Sequence, residues 1–243
     1  MTHYVFSSVD STSSEARRRV VAGTALPFAV SARCQRAGRG RQGKHFHSPE
    51  GGIYLTVALP ADLLPHLGAV PLTVRAAVSV ARSIEKVTGL SLGIKWVNDL
   101  YLDGKKVAGI LTEAVPNSET GRPAAVLLGV GINLAPPSAA PDFPDDLSLA
   151  GGLFSAPCTE QVREAMTQEV IAGLLRDLAV EGEDFLPEYR RRSTVLGRPV
   201  AFWQNGVRYE GMATDIDGEG ALLVKMGNET VRLTSGEITL RTL

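Results

Sequence analysis

The chain has 243 residues, 44% of them hydrophobic, and a formal net charge of -1, which excludes a disordered chain and a polyanion binder that works through bulk charge. Two cysteines, Cys34 and Cys158, exclude a disulfide framework. With no apolar run near the ~20 residues that span a bilayer and no signal pattern at the N-terminus, a cytoplasmic protein of one large and one small domain, with no membrane partner, is expected.

Residues 5–9 read as a first strand. Asp10-Ser11-Thr12-Ser13-Ser14-Glu15 follows as a helix start. Thr12 and Glu15 fit a capping box, a hydroxyl three residues ahead of a glutamate. The helix is expected to run through 16–21 and stop near Gly23. Residues 27–34 read as a strand feeding a basic run, Gln35-Arg36-Ala37-Gly38-Arg39-Gly40-Arg41-Gln42-Gly43. Glycines allow tight turns and close approach to a ligand. The interleaved arginines offer planar, permanently charged forks suited to phosphate. Gly38, Gly43 and Lys44 match the P-loop spacing, but that motif needs Ser or Thr next and then a helix. His45-Phe46-His47-Ser48-Pro49-Glu50-Gly51-Gly52 supplies neither. A plain surface loop and an anion-binding lid remain as readings; ordering so glycine-rich a lid costs entropy, so a ligand is needed to order it.

Residues 52–59 form a second convincing strand. Residues 71–88 read as a helix that opens on Pro71, ends at Gly89 and turns Val74, Ala77, Ala81, Ile84 and Val87 inward. A strand at 92–96 leads into Lys95-Trp96-Val97-Asn98-Asp99. Asp103-Gly104, between Leu100-Tyr101-Leu102 and Lys105-Lys106-Val107, signals a hairpin whose return strand runs to about Ala114. Strand alternation lets only one of Lys105 and Lys106 reach a shared pocket. Taken alone, Asn98-Asp99 reads as a strand end and both lysines as solvated. A strand at 124–134 ends in Gly129-Val130-Gly131-Ile132-Asn133-Leu134; the third glycine and following helix of a dinucleotide fingerprint are missing.

Residues 135–144 read as a loop. Thr159 is expected to cap a long helix with Val162, Met166, Val170, Leu174 and Leu178 inward, and 184–192 form a short helix. Beyond Leu196 come short strands at 199–203, 207–215, 221–225, 229–233 and 237–240, with turns at Asn205-Gly206 and Gly227-Asn228. These suggest a small barrel. The expected domains are 1–192 and 193–243. His3, His45, His47 and His66 lack zinc-type spacing. Arg17–Arg19 and Arg190–Arg192 read as solvated helix faces.

The order of the motifs is more specific than any one of them. Asp-Ser-Thr precedes Gln-x-x-Gly-Arg-Gly-Arg-x-Gly, then Lys-Trp-x-Asn-Asp-x-Tyr, Gly-x-Lys-x-Ala-Gly-Ile-Leu and Gly-x-Gly-Ile-Asn. The series resembles the biotin–protein ligases over nearly the whole chain, to Gly236-Glu237-Ile238. The resemblance implies an α+β fold, a mixed β-sheet with helices on one side (class II synthetase-like), and a C-terminal SH3-like barrel. It implies a ligase that uses ATP and Mg2+ to turn biotin into biotinyl-5′-AMP, then passes it to a lysine of a biotin carboxyl carrier protein or domain. A lipoate or octanoate ligase or transferase of the same fold is the alternative.

By the same resemblance, Ser11, Thr12 and Ser13 hold the biotin ureido group and Gln35 the ring system. Gly38, Arg39, Gly40 and Arg41 form the loop over biotin, with both arginines on phosphate. Lys106 binds the biotin carboxylate and bridges to phosphate, Lys105 faces away, and Gly109 and Gly131 allow close approach. Trp96 and Asn98 lie at the ATP end, Asn133 reads adenine, and Asp99 is a metal site that also orients the incoming amine; Lys106, Arg41 and Asp99 are the catalytic set. Ser13, Val97 and Phe46 depart from the family's usual Asn, Pro and Trp. About ten residues precede Asp10, too few for a DNA-binding domain, so no DNA partner is expected. An open sheet edge leaves a homodimer or pairing with the carrier in view.

Overall fold

The computed structural model describes residues 1–63, 72–117, 119–136, 150–179, 185–204, 206–234 and 238–240. Its larger sheet has seven strands: β1 (Thr2–Val9), β2 (Phe28–Gln35), β3 (Ile53–Pro60), β4 (Gly93–Lys95), β5 (Asp99–Leu102), β6 (Lys105–Pro116) and β7 (Pro123–Ile132). They lie in the order β1-β2-β3-β7-β6-β5-β4. β1 and β2 run parallel, with α1 (Thr12–Val21) between them in sequence. The remaining neighbours are antiparallel, so the sheet is mixed. Asp103 and Gly104 turn the β5–β6 hairpin with φ of 49° and 76°, the double left-handed turn that suits an Asp-Gly pair.

Alternation along the strands builds two cores. Phe28, Val30, Ala58, Val115, Ala125 and Leu127 pack with Ala16 of α1. Their sequence neighbours Ala29, Val57, Val126 and Leu128 join a larger cluster with α2 (Leu72–Thr88), α3 (Glu160–Ala179) and α4 (Leu186–Arg192). The one-sided helical layer implied by the resemblance is therefore corrected: α1 covers the opposite face, because that apolar face also has to be buried. α2 buries Val74, Ala77, Ala81 and Ile84, and also Arg75, Ala76, Val78, Ser79, Val80 and Ser83. It lies between the sheet and α3, so more than one stripe is covered. Val87, near its end, is exposed at 37% rather than inward.

The second sheet contains β8 (Pro199–Gln204), β9 (Val207–Ile216), β10 (Leu222–Met226), β11 (Glu229–Leu233) and β12 (Ile238–Leu240). All its pairings are antiparallel, in the order β11-β10-β9-β8-β12, the small SH3-like barrel. Val200, Phe202, Ala213, Ile216, Leu222 and Val224 share one apolar cluster with the main sheet. Polar bolts reinforce that contact: the Trp96 indole N–H donates to Gly220 O at 3.0 Å, and Arg190 donates to Ile216 O. Among the described residues no helix is long and apolar enough to cross a membrane. The expectations at Pro71, His66, Asp184, Asn205, Gly236 and Glu237, and for 137–144 of the loop, lie outside the described residues.

Candidate active site

The expected capping box does not form. Ser11 is the residue before the first helical position of α1, and no side-chain cap bond is made. The Thr12 hydroxyl turns instead to Gln35 Oε1, which also accepts the Thr12 backbone N–H, at 3.1 and 2.8 Å. Thr56 Oγ1 donates to Thr12 Oγ1 at 2.9 Å and lies 3.2 Å from Ser13 Oγ. A hydroxyl has one proton, so Ser13 is the donor to Thr56. Gln35 Nε2 donates to Ser48 Oγ, and Ser48 donates to Phe46 O, each at 2.8 Å. A single directed chain thus joins the start of α1, the end of β2 and the segment after the arginine run. Ser11, Thr12, Ser13, Ser48 and Thr56 are all buried, so this polarity is built into the interior.

The glycine–arginine run forms a flap. Gly40 N–H donates to Lys44 O, Phe46 N–H donates to Gly38 O, and Arg39 bridges His45. Arg41–Gly43 makes only a short 3-10 turn, and no helix follows before β3, unlike a P-loop. At Gly38 a Cβ would stand 2.3 Å from Phe46 O and 2.5 Å from Ser48 Oγ, so any side chain there collides with backbone. The two flap arginines reach different elements. Arg39 pairs with Glu113 of β6 at 2.8 Å, and Arg41 donates to Asn98 Oδ1 at 3.1 Å.

The hairpin supplies the amine. Strict alternation would set Lys106 and Gly109 on opposite faces. Instead the β5–β6 register slips: Leu100 faces Ala108 but Tyr101 faces Lys106. The extra residue re-aims the side chain. Lys106 Nζ lies 3.5 Å from where a Gly109 Cβ would be, and 2.8 Å from Asp99 Oδ1. Asp99 and Gly109 are themselves cross-strand partners. Asn98 Nδ2 donates to Ile110 O at 2.9 Å, which fixes its amide toward Arg41. Lys105 is exposed, with its stem against Gly151.

Gly109 of β6 and Gly131 of β7 are paired, and the Phe46 ring sits on both. A Cβ on Gly131 would lie 2.4 Å from that ring, and one on Gly109 at 3.3 Å. Phe46 meets Tyr54 edge-on at 6.4 Å. The Tyr54 hydroxyl donates to Pro49 O at 2.7 Å, and burial raises its pKa, so it remains a neutral donor. Asn133 follows β7, tied by backbone bonds to Val107 and Leu153.

The structure therefore gathers Thr12, Ser13, Gln35, Gly38, Lys106, Gly109 and Asp99 with the flap arginines and Asn98. Trp96 stands apart: it is 4% exposed and its N–H is engaged by Gly220. Beside Val97 a cavity of about 380 Å3 is lined by Arg41, Thr73, Glu219, Gly220 and Arg232 among others. Sequence reasoning missed Ser48, Thr56 and Glu113. Thr56 and Glu113 had a faint signal, a hydroxyl inside an apolar strand and a charge on an alternating one; Ser48 had none.

A model of the biotin/lipoate A/B protein ligase family matches residues 5–133, and one of the biotin protein ligase C-terminal domain matches 195–241. The chain is 35% identical to the bifunctional ligase/repressor BirA of Bacillus subtilis, over 98% of this chain and 73% of that protein. It is 31% identical to the biotin–[acetyl-CoA-carboxylase] ligase of Paracoccus denitrificans, over 89% of this chain and 91% of that one. The biotin protein ligase of Aquifex aeolicus in complex with biotin and ATP superposes with a TM-score of 0.76 at 22% identity, over 99% and 98% of the two chains.

Proposed function

The chain belongs to the biotin/lipoate A/B protein ligase family, and from that premise we propose that it is a biotin–protein ligase acting through biotinyl-5′-AMP. A biotin carboxylate oxygen attacks the α-phosphorus of ATP, the bond to the β-phosphate oxygen breaks, and pyrophosphate leaves. A carrier lysine amine, having lost its proton, then attacks the acyl carbon, and AMP leaves. The relatives' names speak for acetyl-CoA carboxylase as the target enzyme. The acceptor is its biotin carboxyl carrier protein or domain.

Two anions must meet in the first step, so fixed cations at the junction lower its barrier. Lys106 takes the biotin carboxylate, and the Asp99 carboxylate keeps that ammonium aimed over Gly109. Arg41 meets the phosphate beside Asn98, and Arg39 closes the flap so that water does not hydrolyse the mixed anhydride. Ser11, Thr12, Ser13 and Gln35 offer the donors and acceptors that a ureido group needs. The Gly109–Gly131 floor, covered here by the Phe46 ring, takes the biotin ring once Phe46 swings aside, and Asn133 meets the adenine. Residues 1–192 carry this chemistry, and 193–243 form the appended barrel.

Among the described residues no three His, Cys, Asp or Glu side chains gather as a metal cage. A single carboxylate such as Asp99 fits Mg2+, which is commonly held by one carboxylate, phosphate oxygens and water. Asp99 is the residue that would hold it, and the ion would neutralise phosphate charge. The protein acts in the cytoplasm, and a second copy pairs at the open β1 edge; sedimentation at increasing concentration tests that dimer.

The observation that carries this reading is the convergence of Lys106, Asp99, Gly109, Phe46 and the Gln35–Thr12 chain on one face of the sheet. The test is ATP–pyrophosphate exchange with biotin, lipoate or octanoate as the acid. Exchange is expected with biotin alone; exchange with lipoate or octanoate but not biotin rejects the assignment.

A further inference from the structure

β6 carries Lys106 and Gly109 at one end and Glu113 nearer the other. Glu113 shares the face of Gly109 by strand alternation, and its side chain is only 15% exposed. Its Oε1 lies 2.8 Å from Arg39 Nη2 of the flap and 3.5 Å from Arg17 Nη2 of α1. Its Oε2 is buried without a hydrogen-bond partner among the described residues. One largely desolvated carboxylate therefore ties the flap to the strand that bears Lys106 and to the helix that bears Thr12 and Ser13. Withdrawing a carboxylate from water costs free energy that nearby cations offset. If the flap lifts, Arg39 departs and Glu113 keeps the longer contact with Arg17. The closed flap is the state in which this carboxylate is best paired.

We infer that Glu113 is the latch of the flap, a positioning residue that acts through Arg39 and sets how firmly 36–46 closes over the site. What the latch retains, an acyl-adenylate, rests on the ligase reading above; the latch itself does not. Glu113 touches no reacting atom, so it governs retention more than the chemical step. Arg41, held separately by Asn98, keeps the phosphate end in place when the latch is weakened.

The test is Glu113→Gln, which keeps the shape and removes the charge. Trypsin is applied to the full ligand-free chain, and cutting after Arg39, Arg41 and Lys44 is timed against cutting elsewhere. Flap cleavage is expected to be about fivefold faster in the variant, the scale of one partly exposed ion pair, with other sites unchanged. Release of bound biotinyl-adenylate accelerates by a similar factor, while exchange at saturating biotin stays within about twofold, a split that a packing defect does not produce. Equal flap cleavage in the two proteins overturns the latch, and so does acceleration spread over the whole chain. Loss of biotin-dependent exchange in the wild type rejects the ligase reading instead and leaves the cleavage comparison to decide the latch.

Discussion

In the reaction proposed above, Lys106 is the residue on which the chemistry turns. Its neighbour Lys105 is chemically identical, and only the slipped register of β5 against β6 separates them. Lys106→Ala is expected to lower ATP–pyrophosphate exchange about 100-fold or more, with thermal stability little changed, because the side chain is partly exposed at the pocket wall. Exchange kinetics equal to wild type would reject its role. Arg41→Ala is expected to release biotinyl-adenylate about tenfold faster, the scale of one charge-assisted contact; stopped-flow dissociation reads this directly, and equal rates would contradict it. The resemblance selected Lys106 as the pocket amine, and alternation allowed only one of the two lysines; the bulge that aims Lys106 at Asp99 and Gly109 was invisible in residue types. Trp96 carries a second constraint: its motif suggested a nucleotide contact, and its indole N–H is bonded to Gly220. A motif reports that a residue is needed, not which neighbour needs it.

Among the elements, the flap depends on backbone approach. Gly38→Ala is expected to abolish ordered closure while sparing the sheet, since its Cβ meets Phe46 O at 2.3 Å. Circular dichroism near wild type with biotin KM raised at least about tenfold would support this; an unchanged KM would not. The strands, the I′ hairpin and the long helices were legible because their periodicity and turn residues agree with what the fold demands. The capping of α1 was not. Thr12 and Glu15 have the spacing of a capping box, but the hydroxyl is drawn to Gln35 and Thr56. A local signal fails where tertiary partners draw the side chain away, as Gln35 and Thr56 do here.

Over the whole molecule, the two sheets share one apolar cluster, and a charged knot ties α2 to α4. Arg82 and Arg192 both bond Glu188. Burial would raise the Glu188 pKa, but these two guanidinium bonds outweigh it and hold the carboxyl below its usual 4.5. A lowered carboxylate pKa stabilises the fold above the unfolded value, and that stabilisation is lost as pH falls through the folded one. Glu188→Gln should therefore melt about 2–4 °C lower at pH 7, with the gap closing below pH ~4; a gap independent of pH would contradict the assignment. Trp96→Phe, which strands a buried Gly220 carbonyl, should cost about 1–3 kcal/mol in urea unfolding. The continuity of sheet and barrel was not readable from sequence, because nothing in residue order says which apolar faces meet. The central step of the proposed reaction is carboxyl–phosphoryl joining beside Lys106. Its most direct test is to incubate the purified chain with biotin, ATP and magnesium and to analyse the bound small molecule by mass spectrometry. Biotinyl-5′-AMP in the wild type and none in Lys106→Ala is the predicted result; unreacted biotin and ATP in the wild type, with the protein folded, would contradict it.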